Sequence, residues 1–105
     1  MPQAQRGEIW LIDLGMAQKP RPCLILSIAY LDHERAVVSY VPRTTTLRET
    51  RFEIAHHARG FDAGAFDAQG IGSIPVVKLQ RRLGWVDPVV VQQVETAVKL
   101  WLKLP

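Results

Sequence analysis

The sequence predicts a mainly β domain of the α+β kind: a small, strongly curved antiparallel sheet or partial barrel, closed by a C-terminal helix. Three observations carry this expectation. Five or six short apolar runs, several alternating with polar residues, occupy positions 7–86. Clusters of Gly, Pro and polar residues punctuate them. Only beyond Asp87 does the apolar spacing become helical.

Residues 1–6 read as a loose start. In 7–13, GEIWLID, Ile9 and Leu11 fall on one side and Trp10 and Ile12 on the other, the signature of a strand. Residues 14–22 hold a Gly and two Pro and read as a loop. CLILSIAY (23–30) is a second, more buried strand, and LDHER (31–35) a polar turn. AVVSYVP (36–42) is a third strand, expected to stop at Pro42, which has no N–H for a ladder. Residues 43–50 offer few core side chains. RFEIA (51–55) sets Phe52 and Ile54 against Arg51 and Glu53, a short strand exposed on one face. Residues 56–70 read as loop, and 71–75 and 81–86 as two further short strands. Asp87 suits an N-cap and Pro88 the first helical position. Val86 and Val91 are spaced to staple that end. Val91, Val94, Val98 and Trp101 line one helical face, with Glu95 and Lys99 as a pair on the wetter side.

With 105 residues, of which 48% are hydrophobic, the chain fits a single domain, 1–105, with one modest core. Thirteen Lys and Arg against ten acids give a charge of +3, compatible with nucleic acid without proving it. The lone Cys23 lies in an apolar run, so no intrachain disulfide forms; it reads as a small core residue in a reducing, cytoplasmic setting. No signal-peptide pattern and no membrane-length apolar run are found.

Phosphate-loop and dinucleotide signatures are absent, and no cofactor is expected. Nor is a metal: His56 and His57 are adjacent and point to opposite faces of a strand, His33 is remote, and Cys23 has no second cysteine. All three histidines read as solvated loop residues. What remains is a set of cations and hydroxyls at strand ends. Arg21 lies between Pro20 and Pro22, which stiffen the backbone beneath its guanidinium. If strands two and three pair as an antiparallel hairpin, the start of one lies beside the end of the other, and Arg21 comes near Thr44. A fixed guanidinium beside a hydroxyl suits a phosphate, and such donors stabilise charge growing on a reacting phosphorus centre. RNA carries its own nucleophile in the 2′-hydroxyl. Read this way, Arg21 is either a phosphate clamp or a surface cation at a turn.

RGEIWLIDLG, KPRPCLILS, VPRTTT and RFEI, in that order, resemble the PemK/MazF family of toxin endoribonucleases, over essentially the whole chain from Arg6. The resemblance implies an SH3-like or CcdB-like small barrel acting as a homodimer. It implies metal-independent cleavage of single-stranded mRNA at short motifs, leaving a 2′,3′-cyclic phosphate and a 5′-hydroxyl, and silencing by a cognate antitoxin. The catalytic pair falls on Arg21, as proton donor or acceptor and stabiliser of the phosphorane, and Thr44, which holds or polarises a phosphate oxygen. Lys19, Arg43, Thr45, Arg48 and Arg51 are candidates to hold the RNA, and Gln69 and Ser73 to contact bases. Trp10, Trp85 and Trp101 read as core or interface. One departure stands out: the loop LGMAQKP is short and holds no acid, where many relatives carry a glutamate near the site. Two rivals remain at this stage, a CcdB-like poison that binds a protein such as DNA gyrase and a non-catalytic nucleic-acid-binding module.

Overall fold

A computed structural model describes residues 3–15 and 19–105. Seven strands precede one helix: β1 (Glu8–Ile12), β2 (Arg21–Ile25), β3 (Val37–Thr44), β4 (Glu53–His56), β5 (Gly64–Asp67), β6 (Gly72–Pro75), β7 (Leu79–Trp85) and α1 (Pro88–Leu102). The sheet runs β4-β5-β3-β2-β1-β7, with β6 pairing β3, and every pairing is antiparallel. Two register shifts between β1 and β7 mark bulges, which add twist and help curl the sheet.

Alternation along the strands splits the core in two. Ile9, Leu24, Val41 and Phe66 face Val91, Val94, Ala97 and Val98 of α1. Their neighbours Trp10, Cys23 and Ile25 turn the other way and pack with Ile12, Val38 and Leu79. The central strands are therefore buried on both faces, which explains the unbroken apolar run of β2. The helix begins as the sequence predicts: the Val89 N–H donates to Asp87 Oδ1 at 2.8 Å, Pro88 opens it, and Val86 and Val91 are both buried.

Several expectations are corrected. Residues 3–6 are tied down: Gln3 Nε2 donates to the Tyr30 carbonyl, and the Gln5 N–H to Glu8 Oε1. The expected loop 14–22 includes 16–18, which lie outside the described residues, and its last two positions already belong to β2. The second strand ends at Ile25, with Ile28 exposed. β3 runs through Pro42 to Thr44. Pro42 is tolerated because it falls between the β6 ladder, which ends at Tyr40, and the β5 ladder, which begins at Arg43. Residues 64–67 of the expected loop form β5, whose Phe66 is fully buried. Glu95 pairs with Arg6 at 3.1 Å instead of with Lys99. The tryptophan reading, core or interface, is met by Trp10, which is core; Trp85 and Trp101 are exposed on the single chain, Trp101 meeting Phe52 edge-on at 5.3 Å.

Candidate active site

Extending the β2–β3 register from Cys23–Pro42 sets Arg21 level with Thr44. Both share the face of Cys23 and Pro42, away from the helix. The ladder explains why a Pro-Arg-Pro sequence belongs here. The Leu26 N–H donates to the Ser39 carbonyl at 3.0 Å. Hydrogen-bonded positions recur at every second residue, so Pro22 is due to donate to Arg43. Proline has no N–H, and the Arg43 carbonyl is left open on that side. Arg21 Nη2 takes the vacant acceptor, at 3.3 Å. The guanidinium is thus folded over the end of β3 next to Thr44, half-buried, and its other donors have no partner among the described residues. Among the described residues no carboxylate lies within 4.0 Å of it, in keeping with the acid-free loop.

Thr44 is 9% exposed. The Thr46 N–H donates to its Oγ1 at 3.0 Å, and Oγ1 donates to the Thr46 carbonyl at 3.3 Å. This local turn holds the hydroxyl in place, and the longer bond is the one a phosphate oxygen would replace. Ala65 is its cross-strand neighbour on β5. Beyond Ala65 a hollow of about 220 Å³ is lined by Leu47, Glu49, Ala55, His57 and Ala63 among others.

The remaining candidates scatter. Lys19 is exposed just ahead of β2, and Thr45 and Arg48 are exposed on the turn after β3. Arg51 lies over Phe52, 4.7 Å from the ring centre, on the helix side and away from the Arg21 face. Gln69 is exposed in the turn 68–70, whose Gly70 packs so closely on the Pro42 ring that a Cβ would come within 2.8 Å of it. Gln69 is thereby held near the face that carries Thr44. Ser73 stands apart: its hydroxyl meets that of Ser39 at 2.7 Å, about 16 Å up β3 from Thr44 at the usual strand rise, and on the opposite face.

Arg43 is the clearest correction. It is not a surface cation but 5% exposed, on the helix side of β3. Its Nε donates to His56 Nδ1 at 2.8 Å, and Nη2 donates to the carbonyls of His56, at 2.9 Å, and of Asp62. Its guanidinium stacks on Phe61, 5.1 Å from the ring centre. His56 is likewise buried, against Phe61 and Phe66, while His57 is exposed. A period-two reading carried two residues past Ile54 would have placed His56 on the inner face. Burial and the neighbouring Arg43 both push the His56 imidazole below its ordinary value, and Nδ1 must be unprotonated to accept. Burial also draws Cys23 up to about 12, so it is an inert thiol beside the site.

Residues 5–102 match the family model of the PemK-like, MazF-like toxin of type II toxin-antitoxin systems. The fold superimposes on an endoribonuclease in complex with its cognate antitoxin from a mycobacterial species, with a TM-score of 0.83 and 29% identity over 98% of each chain. A mycobacterial endoribonuclease gives a TM-score of 0.82 at 28% identity, covering 100% of this chain and 96% of that one. The Mycobacterium tuberculosis toxin MazF-mt6 gives 0.79 at 25% identity, covering 93% of this chain and 98% of that one. Sequence motifs, strand order and the matched span agree, and the chain belongs to the PemK-like, MazF-like toxin family of type II toxin–antitoxin systems.

Proposed function

We propose that the protein is a metal-independent, sequence-specific endoribonuclease toxin that cuts single-stranded mRNA. The observation that carries this reading is the half-buried Arg21 guanidinium folded over the end of β3, beside the Thr44 hydroxyl on the sheet face away from the helix. The 2′-oxygen of the substrate attacks the adjacent phosphorus, forming a new P–O bond, and the bond to the 5′-oxygen breaks. The products are a 2′,3′-cyclic phosphate and a 5′-hydroxyl. Arg21 donates hydrogen bonds to the phosphoryl oxygens as their charge grows, and Thr44 holds one of them in register. A guanidinium stays protonated, so Arg21 serves as donor and electrostatic partner and is not the base. The 2′-hydroxyl proton passes to a solvent acceptor, and the departing 5′-oxygen takes up a proton from water to become the 5′-hydroxyl. Lys19 and Arg48 hold the RNA backbone, and Gln69 contacts a base. The working unit is a cytoplasmic homodimer silenced by a cognate antitoxin, a reading supported by the family and by the antitoxin-bound relative.

The test is cleavage of an RNA pool of varied sequence in EDTA, with the product ends mapped. The expected result is cutting at a short motif with cyclic-phosphate ends, lost in Arg21→Ala while the circular dichroism spectrum is kept. Intact RNA across the whole pool, or an active Arg21→Ala protein, would overturn the proposal.

A further inference from the structure

The Arg43 residue joins the two faces of the sheet. Its carbonyl, left open by Pro22, accepts from Arg21 on the open face. Its guanidinium grips β4 and the 57–63 loop on the closed face, through His56 Nδ1, the His56 carbonyl and the Asp62 carbonyl. The very next peptide carries Thr44. Any movement of Arg43 therefore displaces both the perch of Arg21 and the root of Thr44.

The grip is unusual in its chemistry. A guanidinium 5% exposed is held by neutral acceptors and an aromatic ring, with no carboxylate bonded to it among the described residues. A buried cation with so few partners depends on each of them. One of the three is an imidazole nitrogen, which stops accepting once it is protonated. Protonation would also set a second positive charge 2.8 Å from the first.

We propose that Arg43 and His56 form a buried brace that positions Arg21 and Thr44, and that protonation of His56 releases it. The part concerning cleavage rests on the nuclease reading above; the coupling between the two faces does not. The charged groups facing the brace are Arg43 from β3, His57 next along the chain and Asp62 from the loop. Arg43 and His57 oppose a charge on His56, while Asp62 favours the charge on Arg43. From β5 and the loop the His56 ring meets Phe66 and Phe61, and α1 turns Val94, Ala97 and Val98 to this core. Of the groups named, only Asp62 offsets positive charge here, and it already faces the guanidinium of Arg43. Release therefore begins below the ordinary histidine range, and the competent fraction then falls about tenfold for each further pH unit.

His56→Asn separates the brace from simple packing. The Asn side-chain oxygen reaches the place of Nδ1 and accepts from Arg43, but does not titrate in this range. In kcat/KM–pH profiles on a cleavable RNA, the variant is expected to keep activity near pH 7.5 within about threefold, since the bond is retained. Its acid limb should move down by a unit or more (roughly tenfold more activity retained at the acid end). An unchanged limb overturns the gating. The second measurement needs neither RNA nor a variant: an NMR titration of the unmodified protein. There the Thr44 amide and Arg21 side-chain resonances should shift with the midpoint of the His56 ring. Unmoved resonances overturn the brace even if RNA is cut. If no RNA is cut, moving resonances uphold the brace while the nuclease reading fails.

Discussion

At one end of the sheet two arginines face opposite ways. Among the described residues Arg21, on the face away from the helix, makes a single weak bond to a main-chain carbonyl; Arg43 lies on the helix side with three hydrogen bonds and a ring against it. Both adjoin a proline, and sequence context makes both candidates to meet RNA. Burial divides the work. The cation that keeps donors unspent can meet a substrate, and the cation whose Nε and Nη2 donors are engaged can only hold the chain in shape. A basic residue at a strand end is thus informative about function only once its face is known.

The sharpest way to break this contrast is to exchange the consequences. Arg21→Ala is expected to lower kcat/KM on RNA by about 10²–10³-fold, the scale of losing a donor to a developing oxyanion, while stability changes by less than about 0.5 kcal/mol. Arg43→Met is expected to show the reverse emphasis. Its stability should fall by about 1–3 kcal/mol as the buried carbonyls of His56 and Asp62 lose their partner. Denaturant melts and cleavage assays on the pair decide it. Equal losses of stability in both variants would erase the distinction.

A smaller, purely steric probe reaches both faces at once. A Cβ on Gly64 would sit 2.6 Å from the Thr44 carbonyl and 2.7 Å from Arg43 Nη1. β5 can lie this close to β3 only because the residue has no side chain. Gly64→Ala should cost about 1–3 kcal/mol through overpacking. It should also reduce cleavage in protein that remains folded, because it pushes on the backbone of Thr44. A variant as stable and as active as the parent would show that the β3–β5 contact is soft.

The fold was largely legible because period and punctuation agree with it: β1, β4, β6 and the helix with its cap fall close to where the pattern puts them. β5 was hidden because its four residues, GAFD, carry two small ones and sit in a glycine-rich stretch. β3 was cut short because Pro42 is a strand breaker unless a gap in the neighbouring ladder falls opposite it, and such a gap is a tertiary fact. For the candidate site, the hairpin argument placed Arg21 beside Thr44 from sequence order alone. Arg43 and His56 escaped because their partnership spans thirteen residues and two strands. Neither side chain advertises burial, and only the alternation past Ile54 hinted that His56 points inward.

Acid should pull the two faces apart in a fixed order. The folded His56 titrates below its ordinary 6.5, so the unfolded chain binds the extra proton first. Its contribution is complete above about pH 6.5 and is lost as pH falls below that, through the depressed value. Glu8 has the same sign in a lower window. Burial raises it, but the Gln5 N–H, Trp10 and Arg82 more than compensate and bring it below 4.5. Its contribution therefore survives until pH falls under about 4.5. Thermal melts against pH should show two separate declines, and His56→Asn should remove only the upper one. A single decline below pH 4.5 would mean that His56 is not coupled to folding.

The smallest effect expected tests whether the helix belongs to the closed face alone. Asp87 caps α1 through the Val89 N–H, at the edge where β7 turns into the helix. Asp87→Ala leaves that N–H unpaired and removes a negative charge from the helix N-terminus, costing about 1 kcal/mol. For a domain of this size that corresponds to a fall in Tm of roughly 4–8 °C. The capped end is joined to β7 and β1 through the Val86 N–H and the Gly7 carbonyl, whereas Arg21 and Thr44 hang on β2 and β3. Cleavage at 25 °C should therefore match the parent while the melt shifts. A loss of activity in step with the loss of stability would show instead that the helix face reports directly to the open one, and that Arg43 is not the principal link between them.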